Sequence, residues 1–211
     1  MSFFDYFHIT SVVIFLLVIS TKAVYLRLTQ NINAIVIGRG KKGFHLALEL
    51  YAFAGLAVWM IEGILYSLHK PHIFPAPLDI RLIDGTAVRV VGVVVLTFGL
   101  IILIWAFISF GRSWRVGMDL KTPGELVTTG IFARTRNPIY VFLILWFVGT
   151  FLIHGTLIFL IFALLAIGHL HYQILREEKF LIGLYGQPFK DYCARTGRYF
   201  TFVRYSKTMK K

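Results

Sequence analysis

Residues 86–110 read TAVRVVGVVVLTFGLIILIWAFISF, with a single charge, Arg89, in the whole stretch. As a helix rising 1.5 Å per residue this segment reaches about 37 Å, enough to cross roughly 30 Å of bilayer hydrocarbon. Its apolar residues form a block rather than alternating, so the period-two pattern of a strand is absent. Four other blocks share the property: Tyr6–Tyr25, Phe44–Leu68, Pro138–Ile153 and Thr156–Leu175. The chain therefore reads as an all-α polytopic membrane protein with about five transmembrane helices. The fourth block covers only about 24 Å, which leaves open whether it crosses fully. His154-Gly155 alone parts it from the fifth, which predicts a C-terminal helical hairpin followed by a cytosolic tail.

Composition agrees. Hydrophobic residues make up 57% of the 211 and charged residues 15%, against about a quarter charged in soluble domains. The net charge of +12 is distributed by loop rather than by patch. Arg27, Arg39, Lys41 and Lys42 lie between spans one and two; Arg112, Arg115, Lys121, Arg134 and Arg136 lie between spans three and four; nine more run from Arg176 to Lys211. The loop between spans two and three balances Lys70 and Arg81 with Asp79 and Asp84. By the positive-inside rule the N-terminus is expected outside and the C-terminus, with the chemistry, in the cytosol. Basicity here serves topology and contact with anionic headgroups, and no nucleic acid is expected as a partner. Asp5 and the lack of a basic residue before the first apolar run do not fit a cleaved signal peptide. The lone Cys193 excludes an internal disulfide.

The organisation is one integral unit in two parts. Residues 1–110 form a three-span region of little chemistry; residues 111–211 hold a polar loop marked by Thr122-Pro123-Gly124, the span 4–5 hairpin, and the tail. The last helix is expected to stop near Gly186, with Pro188 following. Phe189, Tyr192, Tyr199 and Phe202 then read as an aromatic tail suited to an interface.

Candidate sites follow from spacing. Gly38-Arg39-Gly40-Lys41-Lys42-Gly43 matches a dinucleotide fingerprint literally, but it sits between two spans with no room for the βαβ unit such a site requires. His169 and His171 fall about 200° apart on a helix, on opposite faces, so no metal site is expected. His169, Gln173 and Glu177 share one face where span five leaves the membrane, with Tyr172 and Arg176 beside them and Glu178 on the neighbouring stripe with His171. Adjacent carboxylates at a bilayer boundary suit a cationic ligand. Glu49 and Glu62, both in span two, lie on different faces and at different depths. At Arg134-Thr135-Arg136-Asn137-Pro138-Ile139-Tyr140, Pro138 suits the first helical turn and Asn137 an N-cap. The free backbone N–H groups there, flanked by arginines, also suit an anionic group such as a carboxylate.

The ordered set Gly111-x-x-Trp114, Glu125-Leu126-Val127-Thr128-Thr129-Gly130-Ile131-Phe132, Arg136-Asn137-Pro138-Ile139-Tyr140, Glu177-Glu178, Tyr185-Gly186, Tyr192 and Thr196-Gly197-Arg198 resembles the isoprenylcysteine carboxyl methyltransferase family and its phospholipid N-methyltransferase relatives. The resemblance covers about residues 111–200; spans one to three match in hydropathy alone. It implies an S-adenosylmethionine-dependent membrane methyltransferase without a Rossmann sheet, acting on a lipophilic or membrane-located small acceptor. Carried over, Leu126, Val127, Gly130 and Ile131 would give backbone and apolar contacts to the cofactor. Arg136, Asn137, Pro138 and Tyr140 would form its binding turn, with Glu178 facing it. Glu177 and Arg176 would act catalytically by orienting the acceptor; His169, Gln173 and Arg198 would line the substrate side. Methyl transfer from a sulfonium is an in-line displacement, for which positioning and exclusion of water are the main demands.

Two departures bear on the acceptor. The family turn usually reads Arg-His-Pro, where this chain has Asn137, which hydrogen-bonds but does not titrate near neutrality. The arginine usually found a turn before the glutamate pair is here Gln173, which keeps isoprenylcysteine carboxylate, phospholipid amine and thiol acceptors all open. A steroid 5α-reductase-like enzyme using NADPH, with its similar Pro-x-Tyr turn, and a non-enzymatic membrane protein are the rival readings. The sequence leaves the oligomeric state and the source membrane open.

Overall fold

The computed structural model describes residues 1–35, 37–38, 42–114 and 125–201, His45 by its backbone only. Arg39, Gly40 and Lys41 of the glycine-rich run, Arg115, Lys121, Thr122, Pro123 and Gly124 of the polar loop, and Phe202 and Lys211 of the tail lie outside the described residues. Among the described residues six α-helices follow in order: α1 (Phe3–Gln30), α2 (Phe44–Ser67), α3 (Thr86–Phe110), α4 (Pro138–His154), α5 (Leu157–Tyr185) and α6 (Gln187–Arg195). Helices α1, α2, α3 and α5 are long and apolar enough to cross a membrane, and α4 is the shorter apolar helix. Among the described residues there is no β-strand, and the chain is an all-α polytopic membrane protein.

Helix α1 starts on a reciprocal cap, in which the Asp5 amide donates to Ser2 Oγ and the Ser2 amide to Asp5 Oδ2; this satisfies two amides that a helix start otherwise leaves bare. Helices α3 and α4 form the most extensively packed pair. A Cβ on Gly92 would lie 2.9 Å from the Gly149 carbonyl oxygen, and one on Gly149 would lie 3.0 Å from that of Gly92. Small residues let two membrane helices bring their backbones together, where dispersion rather than water exclusion holds them. Helices α1 and α2 join through an aromatic core in which Phe15 lies 4.5 Å from Trp146 and Trp59 lies 4.3 Å from Phe147.

The α4–α5 hairpin turns through Gly155 and Thr156. Gly155 has φ +73°, and a Cβ there would collide with the Ile83 carbonyl. The Leu82 amide donates to the Gly155 carbonyl (2.7 Å) and the Leu157 amide to that of Ile80 (2.9 Å), so the α2–α3 connection clamps the turn. Helix α5 runs to Tyr185, well beyond the apolar block ending at Leu175, and its 29 residues reach about 43 Å.

The tail departs from the sequence reading. Gly186 (φ +62°) ends α5, but Pro188 opens a further helix instead of a loop, a position where its missing N–H is harmless. Phe189 and Tyr192 therefore turn inward, buried with Ala106, Ile131 and Phe132, instead of facing an interface. The two carboxylates of α2 have local structural work. Glu49 accepts the Gly38 amide (2.8 Å) and Glu62 the Ile73 amide (2.9 Å), at opposite ends of the helix. Each satisfies a loop amide that the bilayer would leave without water.

Candidate functional site

The approach to α4 is shaped by Gly130, whose φ of +63° an L side chain rarely adopts and whose missing Cβ leaves room for Ser109 Oγ of α3. The same hydroxyl accepts the Ile131 amide (3.2 Å). Ile131 and Phe132 are thereby set into a small apolar cluster with Ala106, Phe189 and Tyr192, against which Leu126 and Val127 pack half-buried. The Tyr192 hydroxyl donates to the Phe132 carbonyl (2.7 Å), and burial pushes its pKa up.

At the entrance to α4 the chain builds a charged clamp. Arg136 donates through Nε (3.2 Å) and Nη2 (2.9 Å) to Glu178 Oε1. Its Nη1 donates to the carbonyls of Cys193 (2.9 Å) and Thr196 (2.7 Å). Arg198 reaches the same carboxylate from the tail, with Nε 3.1 Å and Nη2 2.8 Å from Oε2. The Glu178 and Arg136 side chains are each only 10% exposed. The hydrogen bonds and charge of Glu178 hold the Arg198 guanidinium further above its already high pKa. Backbone contacts lock the same knot: the Arg136 amide donates to Gly197 (3.0 Å) and the Thr201 amide to Arg134 (2.8 Å). The α4 entrance here meets a later, consecutive stretch made of the end of α5, α6 and the tail.

Asn137 takes the N-cap position of α4, with Pro138 at the first turn, but its side chain makes no cap bond. The capping role read from the sequence is corrected, because the carboxamide is drawn into the clamp instead. Its Nδ2 donates to the Arg198 carbonyl (3.1 Å) and to Glu178 Oε1 (3.4 Å). The Thr135 hydroxyl takes the Asn137 amide (3.1 Å) and donates to the Arg198 carbonyl (3.3 Å). The arginine at this helix start faces a protein carboxylate, so the anion beside Arg136 is Glu178.

One turn into α4, Tyr140 is hydrogen-bonded through its side chain to Glu177, within electrostatic reach of Glu49 and Arg176. Along α5, Gln173 lies 3.4 Å from His169 Nε2, and Arg176 Nη1 donates to Gln173 Oε1 (3.3 Å) while its guanidinium lies 5.6 Å from the Tyr172 ring. His169 meets the edge of Tyr51 from α2. His171, on the other face, is 2.7 Å from the Tyr199 hydroxyl. The residues singled out from sequence thus fall into two adjoining groups. Arg136, Asn137, Glu178 and Arg198 form the clamp; Tyr140, Glu177, Arg176, Gln173 and His169 form a polar strip beside it.

Ser109 and Glu49 escaped sequence reasoning as members of this end of the molecule. Glu49 carried a signal, an acid inside an apolar span, but nothing local could show which helix it would meet. Ser109 is one hydroxyl near the end of a long apolar helix and carries none.

The family model for phospholipid methyltransferases matches residues 87–188. The match spans α3, α4, α5 and the start of α6, so span three is part of the resemblance rather than similar in hydropathy alone. Arg198 and Glu49 lie beyond its ends. No curated protein matches the chain.

Proposed function

Because residues 87–188 belong to the phospholipid methyltransferase family, one of integral membrane methyltransferases, we propose that the protein transfers a methyl group from S-adenosylmethionine to a lipophilic or membrane-located small acceptor. The observation that carries the proposal is the pairing of the two polar groups at the α4 entrance. The clamp fixes the backbone of residues 134–138 against α5 and the tail, and directly beside it the Glu177 carboxylate is bonded to Tyr140. The donor set suits the cofactor. Half-buried Leu126 and Val127 offer apolar surface to an adenine, and Glu177 offers negative charge to an ammonium or sulfonium. When bound, the cofactor supplies an electrophilic methyl group on sulfur.

The residues of the chain do the rest. Leu126, Val127, Gly130 and Ile131 line the approach, and Pro138 and Tyr140 present the first turn of α4. Arg136, Asn137, Glu178 and Arg198 hold that turn in place as positioning residues. Glu177 and Arg176 orient the acceptor, with His169 and Gln173 continuing the strip toward the apolar part of α5. Because the strip runs down a membrane helix, an acceptor can arrive sideways from the bilayer. The excess of basic residues in the loops at this end supports a cytosolic position for it and an N-terminus outside.

Titration of detergent-purified protein with S-adenosylhomocysteine tests the reading. Saturable binding, weakened by Tyr140→Phe and unaffected by competing NADPH, is the expected result. No binding at millimolar ligand would sink it, and displacement by NADPH would favour a reductase.

A further inference from the structure

Helix α4 has two polar ends. Its start enters the Glu178 clamp; its last residue, His154, lies about 24 Å away in the wall of a cavity of about 580 Å³. The cavity is also lined by Tyr66, Lys70, Asp79, Arg81 and Arg89, from α2, the α2–α3 connection and the start of α3. It sits on the N-terminal face, at the opposite end of the bundle from the proposed methyl-transfer site.

Three features mark it as a built site. First, His154 is 7% exposed and its Nε2 has no hydrogen-bond partner; the Tyr66 hydroxyl and His72 Nδ1, also from lining residues, are likewise without partners. His8, whose ring lies 4.8 Å from that of His154, leaves Nε2 unpartnered too. Buried polar atoms normally find partners, so three unpartnered ones on residues lining one cavity point to a polar occupant.

Second, the charges are mixed in an ordered way. Arg81 and Arg89 share Asp84, each through one terminal nitrogen (3.0 and 2.8 Å), which leaves further guanidinium donors. Lys70 adds a third cation. Among the described residues the Asp79 carboxylate meets His72 Nε2, at 4.0 Å, and stays 45% exposed. Third, Tyr66 and His72 stack at 4.2 Å and give the wall an aromatic face.

Guanidinium forks and an ammonium recognise phosphate; a carboxylate beside an aromatic face recognises an ammonium. We propose that this cavity binds a zwitterionic phosphate ester, with the phosphate toward Lys70, Arg81 and Arg89 and the ammonium toward Asp79. At a bilayer boundary the available source is the headgroup of a membrane phospholipid, with the free phosphoester as the other.

Isothermal titration of the full-length protein in detergent distinguishes them, using dihexanoylphosphatidylethanolamine, phosphoethanolamine and inorganic phosphate as probes. Saturable binding of the short-chain lipid is expected, weakened at least tenfold in the Lys70→Gln/Arg81→Gln double variant. Asp79→Asn should weaken it several-fold while leaving dihexanoylphosphatidylglycerol unaffected. Phosphoethanolamine binding as tightly as the lipid would support the site and assign the free ester as its source. If the double variant does not fold, Lys70→Gln alone, on an exposed side chain, gives the same reading with a smaller shift. No saturable binding of either ester, binding insensitive to these variants, or inorganic phosphate binding equally well with Asp79→Asn silent would each overturn the proposal. S-adenosylhomocysteine affinity should stay unchanged throughout, so this cavity and the methyl-transfer reading can fail separately.

Discussion

The two ends of α4 hold comparable numbers of buried polar groups and treat them in opposite ways. At the Pro138 end both Glu178 oxygens are engaged, Arg136 makes bonds through all three guanidinium nitrogens, and Asn137 joins them. At the His154 end His8, Tyr66, His72, His154 and Thr156 each leave a polar atom without a partner. A saturated network in a low dielectric fixes one geometry, since every displacement leaves a charge bare. An unsaturated one is held open by the surrounding helices and waits for something polar to fill it. The first is what a turn that must not move requires, and the second is what a binding cavity requires.

Breaking the saturated end should therefore have the largest effect. Glu178→Ala leaves Arg136 nearly buried without its anion, and removing one partner of such a pair costs about 3–5 kcal/mol. Chemical denaturation in detergent should show that loss, and the tail should become sensitive to protease near residue 198. Arg198→Ala should cost much less, because that side chain is 34% exposed and solvent screens its charge. Equal losses for the two variants would mean that the tail, rather than Glu178, organises the knot.

The hairpin that ties the two ends together comes next. Gly155→Val combines a left-handed backbone, unfavourable for an L residue by about 1–2 kcal/mol, with a collision against Ile83. A lowered Tm is expected, together with loss of short-chain lipid binding at the His154 end and smaller changes at the Glu178 end. Smaller again, Tyr140→Phe removes the side-chain bond to Glu177. A hydrogen bond to a charged group contributes about 1.5–3 kcal/mol to stability, so Tm should fall modestly, and S-adenosylhomocysteine affinity or methyl-transfer rate should fall as Glu177 loses its anchor.

The same contrast explains what was legible in the sequence. The apolar blocks gave the five apolar helices, including the short α4 and its tight turn, because a bilayer makes hydrophobic length the dominant signal. Residues 111–200 showed their ordered motifs, and Arg136, Asn137, Glu178 and Arg198 do meet. Sequence spacing could not show that Glu178 and Arg136 would face each other, since a helix start and a helix end 42 positions apart carry no common period. Helix α6 was hidden for a similar reason. Gly186 and Pro188 read as a stop, and only the inward packing of Phe189 and Tyr192 makes them a corner. The unpartnered atoms at the other end were invisible because His8, Tyr66, His72 and His154 come from α1, the end of α2, the loop after it and the end of α4, positions that share no period along the chain.

Replacing an unpartnered polar group by an apolar one of the same shape should do little harm, in contrast with the clamp. Thr150 of α4 is fully buried and its Oγ1 has no partner. Thr150→Val should leave stability unchanged or raise it by about 1 kcal/mol, since desolvation of the hydroxyl is no longer required. A clear destabilisation would show that a water or ligand already satisfies this hydroxyl, and would move Thr150 to the saturated side of the comparison.

The smallest effect should come from Cys193, inside the clamp by backbone alone. Arg136 takes its carbonyl, whereas its thiol only packs at the edge of the Phe189–Tyr192 cluster. Cys193→Ala keeps that carbonyl and should shift stability by no more than about 0.5 kcal/mol. Burial pushes the thiol pKa up, and the thiolate is the reactive form. The pH profile of iodoacetamide labelling should therefore lie above that of a free cysteine, and in Glu178→Ala, where the clamp loosens, labelling should quicken at every pH. An unchanged rate in that variant would show that α6 keeps its seat without Glu178, placing the strength of this end in the apolar cluster instead of the ion pairs.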